Sequence, residues 1–88
     1  MGEEELNTAV WSWLENRIKR EGEVPISYIR ADMSLKDDCG MDSLDITELM
    51  FESENEFDIN LTAKEIATVV TVIDAYNLIN GKIKEKQK

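Results

Sequence analysis

The stretch GMDSLDITEL contains the residues most suggestive of chemistry, with one serine, Ser43, placed between Asp42 and Asp45. A nucleophilic serine needs a neighbouring base, most often a histidine that a carboxylate orients. The chain contains no histidine, and the nearest lysine, Lys36, lies in an acidic setting. We therefore do not expect Ser43 to act as a catalytic nucleophile.

The residue types also give little support for a metal site or a disulfide bond. Cys39 is the only cysteine, so it has no internal disulfide partner, and without histidine it cannot form a zinc site. The segment from Asp58 begins like a calcium loop, but Ala63 stands where glycine is required and Val69 where glutamate is needed. We predict no metal site, and we interpret Cys39 as a small buried hydrophobic residue.

Size and charge restrict the partners. The chain has 88 residues, with 10 basic and 19 acidic side chains and a formal net charge of −9. A chain of this length folds around one core, so we expect a single domain over residues 1–88. The acidic charge favours basic protein surfaces over nucleic acid or anionic membranes. Because the sequence has no membrane span and no signal peptide pattern, we expect a cytoplasmic protein. We also predict that it is a monomer.

Hydrophobic periodicity predicts an all-α protein, a small four-helix bundle with a long loop between helices 1 and 2 and a short third helix. The predicted helices cover approximately residues 4–21, 42–57, 62–68 and 71–83, and residues 84–88 form a solvated tail. Thr62 with Glu65 and Thr71 with Asp74 have the spacing of residues that cap the third and fourth helices. Four apolar residues are expected to pin the long loop to the core: Ile26, Ile29, Met33 and Leu35.

The start of the second helix decides whether the serine hydroxyl is available. If Asp42 is the N-cap, Asp45 occupies the third helical position and returns the hydrogen bond. If Ser43 is the cap, that position is Ile46, which has no hydrogen-bonding side chain. We favour Asp42, which leaves Ser43 as the first helical residue. The residues alone leave open whether Ser43 only begins a helix or is a site where another enzyme attaches a phosphodiester, an anion that a helix N-terminus favours.

A helical wheel of residues 43–57 separates three faces. The core stripe contains Ile46, Leu49, Met50, Ser53 and Phe57, and the opposite acidic face contains Asp45, Glu48, Glu52 and Glu56. Leu44 and Phe51 border the acidic face, away from the core. Residues 37–63 include nine acids and no lysine or arginine. This face is either a binding surface for a basic partner or a solvated face that maintains solubility.

GMDSLDITEL resembles the attachment motif of the acyl carrier protein family, in which an Asp-Ser-Leu tripeptide begins the second of four helices. The resemblance runs from about residue 34 to residue 79 and includes Glu-Phe-Asp at positions 56–58. It implies that a separate magnesium-dependent phosphopantetheinyl transferase attaches 4′-phosphopantetheine from coenzyme A to Ser43. The thiol of that arm would then carry acyl groups as thioesters to enzymes of fatty acid or polyketide-type biosynthesis. Because those enzymes perform the chemistry, the resemblance implies that this protein is not an enzyme and has no catalytic residue.

The resemblance also implies which residues meet partners and cargo. Recognition residues facing basic docking surfaces would be Asp42, Leu44, Asp45, Glu48, Phe51 and Glu54, to which the acidic face adds Glu52. The implied acyl-chain pocket contains Leu49, Met50, Tyr76 and Ile79. Two alternatives stay open: an aminoacyl or peptidyl carrier protein, and an unmodified acidic helical adaptor that binds a basic partner.

Overall fold

A computed structural model of the chain describes residues 6–22 and 29–86. These residues form four helices, α1 (Thr8–Glu21), α2 (Ser43–Phe57), α3 (Ala63–Ala67) and α4 (Val72–Lys86). A long connection separates α1 from α2, and α3 has only five residues. The predicted all-α four-helix bundle is therefore confirmed. Across the described ranges, no helix has both the length and the apolar character needed to cross a membrane.

Helix α1 begins at Thr8, later than the predicted start near residue 4. Residues 4 and 5 lie outside the described ranges, and Leu6 is non-helical and exposed. Asn7 is the N-cap, because its side-chain oxygen accepts a hydrogen bond from the Val10 N–H. The Asn7 N–H donates to the Tyr76 hydroxyl at 2.7 Å. The start of α1 is thus fixed by a contact with α4, which the local apolar spacing did not reveal.

Helix α4 continues to Lys86, so the prediction that it ends near residue 83 and that a solvated tail begins at residue 84 is wrong for residues 84–86. The Lys86 ammonium donates to the carbonyl oxygens of Phe57 and Asp58 at 3.1 and 2.7 Å. Lys82 pairs with Glu65 at 2.7 Å, and this hydrogen bond lowers the pKa of Glu65. These contacts hold the last turns of α4 against the α2–α3 region; residues 87 and 88 lie outside the described ranges.

The core includes apolar side chains from all four helices and from the long loop. Ile29, Met33 and Leu35 are buried as expected, while Ile26 lies outside the described residues. Cys39 is fully buried, which confirms its interpretation as a small hydrophobic residue. Burial and the nearby charge of Asp38 raise the pKa of the Cys39 thiol, so this group stays protonated at neutral pH.

The loop between α1 and α2 is bonded to the connection between α3 and α4. The Leu35 N–H donates to the Val70 carbonyl, and the Val72 N–H donates to the Met33 carbonyl, both at 3.0 Å. An isolated antiparallel β-bridge joins Ser34 to Thr71 in the same place. These contacts place the residues just before α2 next to the residues that follow α3.

Two glycines provide a matched test of this packing. A Cβ at Gly22 would overlap the Cys39 carbonyl oxygen, whereas a Cβ at Gly81, inside α4, would meet nothing within 4 Å. We expect Gly22→Ala to lower the free energy of unfolding by about 1–3 kcal/mol. Gly81→Ala should raise it by about 0.5–1 kcal/mol, since alanine is the better helix former. Urea unfolding followed by tryptophan fluorescence measures both changes, and equal effects would contradict the close packing at Gly22.

Candidate functional site

The first turn of α2 is closed by two aspartates that cap it reciprocally. The Asp45 N–H donates to Asp42 Oδ1 at 2.8 Å, and the Asp42 N–H donates to Asp45 Oδ2 at 3.2 Å. Asp42 has extended backbone angles, and Ser43 is the first helical residue. The prediction that Asp42 is the cap is confirmed, and the Ser43 side chain has no capping role.

Ser43 presents an exposed hydroxyl at the start of this helix. Within residues 6–22 and 29–86 the hydroxyl makes no hydrogen bond, and the Ser43 carbonyl accepts one from Thr47 Oγ1 at 2.9 Å. In the same ranges the backbone N–H groups of Ser43 and Leu44 have no acceptor. A phosphodiester on the Ser43 oxygen would find unpaired donors and the positive end of the helix dipole. The residues present therefore fit a covalently attached phosphate group.

Two adjoining clefts lie beside Ser43. The smaller, of about 130 Å³, has Ser43 and Thr47 in its lining. The larger, of about 250 Å³, reaches Ser34 and Val70. Both clefts share the lining residues Lys36, Ile46, Ala67 and Val69. A third cleft, of about 310 Å³, is lined by residues that follow α2 and by the end of α4, and it shares no residue with these two.

The four residues predicted to surround an acyl chain lie together in the packed core. Leu49, Met50 and Ile79 are fully buried, and Tyr76 is 6% exposed. Their side chains line neither of the clefts beside Ser43. The open space next to the serine is therefore separate from the predicted acyl-chain pocket.

The apolar members of the predicted recognition surface are well exposed. Leu44 is 65% and Phe51 51% exposed, which is unusual for large hydrophobic side chains in a small protein. Glu48 is also exposed and has no ion pair within the described ranges. These three residues form a surface on α2 that combines apolar area with negative charge.

The remaining predicted acids have partners inside the protein. Asp42 and Asp45 cap α2, as described above. Glu52 lies 3.2 Å from the Arg17 guanidinium of α1, measured from Oε1 to Nη1. Glu54 Oε2 accepts a hydrogen bond from the Leu61 N–H at 2.7 Å, which holds the turn after α2. Of the predicted acidic face, Asp45 and Glu52 make structural contacts, whereas the side chains of Glu48 and Glu56 are exposed and have no hydrogen bond or ion pair within the described ranges.

Sequence reasoning missed two residues of α1 at this surface. The Glu21 carboxylate lies next to those of Asp45 and Glu48, and one carboxylate oxygen from each residue lies within 4.8 Å of the other two. Arg17 pairs with Glu52 and lies over the Trp13 ring, 5.4 Å from its centroid. The position of Glu21 and the Arg17–Glu52 pair depend on how α1 crosses α2, and no local sequence signal reports that crossing.

Comparison with known proteins agrees with this geometry. Residues 12–79 match the family model described as a phosphopantetheine attachment site. The fold is similar to that of an acyl carrier protein from Thermotoga maritima, with a TM-score of 0.74 and 20% sequence identity, covering 98% of this chain and 99% of that one. The chain belongs to the phosphopantetheine-binding carrier family, whose members carry covalently attached 4′-phosphopantetheine and are not catalysts. The predicted family, non-enzymatic role and cofactor are confirmed.

The cap geometry predicts how α2 responds to substitution at Asp42. Asp42→Ala removes the acceptor for the Asp45 N–H, so we expect the free energy of unfolding to fall by about 1 kcal/mol. Asp42→Asn keeps an oxygen acceptor and should change it by less than about 0.5 kcal/mol. Urea unfolding of both variants gives the comparison. Similar losses would mean that the charge, and not the hydrogen bond, stabilises the helix start.

Proposed function

We propose that this protein is an acyl carrier in which Ser43 bears the 4′-phosphopantetheine arm and the arm presents acyl thioesters to enzymes of fatty acid or polyketide-type biosynthesis. The observation that supports Ser43 most directly is its exposed hydroxyl, which lies at the start of α2 without a hydrogen-bonding partner in the described ranges. Ser53 of the same helix is fully buried, and its hydroxyl donates to the Met50 carbonyl at 2.6 Å. Ser43 is therefore the accessible serine of α2.

Attachment requires chemistry that a transferase supplies. The Ser43 oxygen forms a bond to the phosphorus of the pantetheine-bearing phosphate of coenzyme A. The bond from that phosphorus to the bridging pyrophosphate oxygen breaks, and adenosine 3′,5′-bisphosphate leaves. A base on the transferase takes the hydroxyl proton, which is consistent with the lack of histidine in this chain. Ser43 contributes accessibility and position.

Partner enzymes would recognise the exposed surface of α2. Leu44 and Phe51 offer apolar contact area, and Glu48 offers a negative charge with no partner in the described part of the chain. Basic docking surfaces would approach faster because of the acidic field around these residues. Glu52 and Glu54 would add to that field while keeping their contacts with Arg17 and Leu61. Asp42 and Asp45 would also add to that field while keeping the hydrogen bonds that cap α2.

A longer acyl chain would be sheltered among Leu49, Met50, Tyr76 and Ile79. Because these side chains are already packed, the chain would have to displace them. The unbranched and flexible Met50 is the side chain best suited to move. This pocket would therefore open when cargo enters.

The attachment site is tested by intact mass. We expect incubation with coenzyme A, Mg²⁺ and a transferase of broad specificity to add the mass of one phosphopantetheine. Ser43→Ala should abolish that gain. Ser12→Ala, which removes an exposed serine of α1, should leave it unchanged. If the protein gains no mass, the proposed function is wrong and the unmodified adaptor is favoured. If Ser43→Ala gains as much as the parent, the arm is attached to another residue and the assignment to Ser43 is wrong.

The role of the α2 charge is tested by charge reversal. Glu48→Lys should lower kcat/KM for loading by roughly tenfold at low salt, because it removes attraction to a basic transferase surface. The deficit should shrink as salt screens the interaction. Glu56→Lys is the matched control, since it reverses an exposed acid about 12 Å further along the same helix. Equal deficits in both variants would indicate a general charge effect instead of recognition at Glu48.

A further inference from the structure

Lys36 occupies a position that the proposed function does not use. It lies in the long loop before α2, and its side chain is exposed. It lines both clefts beside Ser43 and, among the residues that the structure describes, is the only basic one in either lining. Lys36 forms no ion pair with any residue of the described ranges. An isolated cation therefore borders the open space next to the attachment hydroxyl.

The charge of Lys36 complements the group that Ser43 would carry. A phosphodiester on Ser43 has one negative charge, and the neighbouring Asp42 and Asp45 carboxylates repel it. Lys36 and Ser43 line the same cleft of about 130 Å³, together with Ile66 and Ala67 of α3. Electrostatics thus favour a phosphate turned toward the cleft over one turned toward the capping aspartates.

We propose that Lys36 is a positioning residue that binds the phosphodiester of the arm and directs the pantetheine portion into the two clefts. This inference rests on the proposed attachment at Ser43. The occupant is the arm of the protein itself, held by its covalent bond and by the charge of Lys36. Lys36 determines the position of the arm, and it takes no part in forming or breaking covalent bonds.

The surface of the clefts has the chemistry that pantetheine requires. Next to its phosphate the arm has two methyl groups, and the clefts offer Ile46, Ala67 and Val69 as an apolar wall. Further along the arm are two amides, and the larger cleft ends at Ser34 and Asp37. The Ser34 hydroxyl oxygen already accepts the Asp37 N–H at 3.0 Å, so its own proton is available to donate to an amide carbonyl.

The test compares apo and holo forms by NMR after loading has been verified by intact mass. In the parent protein, loading should shift the backbone amide signals of Ala67, Val69 and Val70, more than 20 residues after Ser43. Lys36→Met should load but lose these distant shifts. Lys64→Met, which removes an exposed lysine of α3 that lines neither cleft, should keep them. High salt should weaken the shifts in the parent protein.

The outcomes separate the two proposals. Failure to gain mass would overturn the attachment at Ser43 and the inference that depends on it. A loaded protein with shifts confined to the first turns of α2 would overturn the role of the clefts while leaving the attachment intact. Distant shifts that persist in Lys36→Met would show that the arm lies there without help from Lys36, which would also overturn the proposal. Loss of the shifts in Lys36→Met alone supports it.

Discussion

The arrangement of the site depends on the backbone hydrogen bonds that join the α1–α2 loop to the α3–α4 connection. The Leu35 N–H donates to the Val70 carbonyl, and the Leu35 side chain is fully buried in the core, which anchors this part of the loop. Lys36 comes next in the loop, and Val69 precedes the acceptor. This pairing brings Lys36 and Val69, which line both clefts, into the same part of the molecule, and Ser43, seven residues after Lys36, lines the smaller cleft.

The acidic residues of α2 perform different physical tasks despite their chemical similarity. Asp42 and Asp45 satisfy backbone donors at the start of the helix. Glu54 satisfies a donor beyond its end, near Asp58, whose left-handed backbone terminates the helix. A charged side chain without such a partner can bind another protein without giving up a contact that stabilises the fold. Glu48 and Glu56 are the acids of this face whose side chains have no such partner in the described ranges. Of these two, Glu48 lies within four residues of both Leu44 and Phe51.

Local features of the fold could be predicted because their causes are local. The Asp42 cap depends on residues three positions apart, and the burial of Cys39 follows from its apolar character. The errors fall where a distant residue decides the outcome. The Tyr76 hydroxyl accepts a hydrogen bond from the Asn7 N–H at the start of α1. The Lys86 ammonium, in the last turn of α4, donates a hydrogen bond to the Asp58 carbonyl at the end of α2. Such contacts have no signature in periodicity or capping patterns.

The site shows the same division between local and distant causes. The exposure of Leu44 and Phe51 agrees with the helical wheel, because the wheel needs only the helix itself and the direction of the core. The Arg17 partner of Glu52 and the cleft that brings Ala67 and Val69 beside Ser43 join segments far apart along the chain. The tertiary fold is needed to reveal either.

The clefts and the packed core differ in what an occupant must displace. An arm on Ser43 would enter the existing space beside this residue without moving core side chains, whereas an acyl chain among Leu49, Met50 and Ile79 would have to separate them. Forcing extra atoms into a packed core costs about 1–3 kcal/mol, and each buried methylene contributes about 0.8 kcal/mol. About four buried methylenes are therefore needed to offset the larger cost. Short cargo should remain at the surface with the arm, and longer chains should be the ones that open the core.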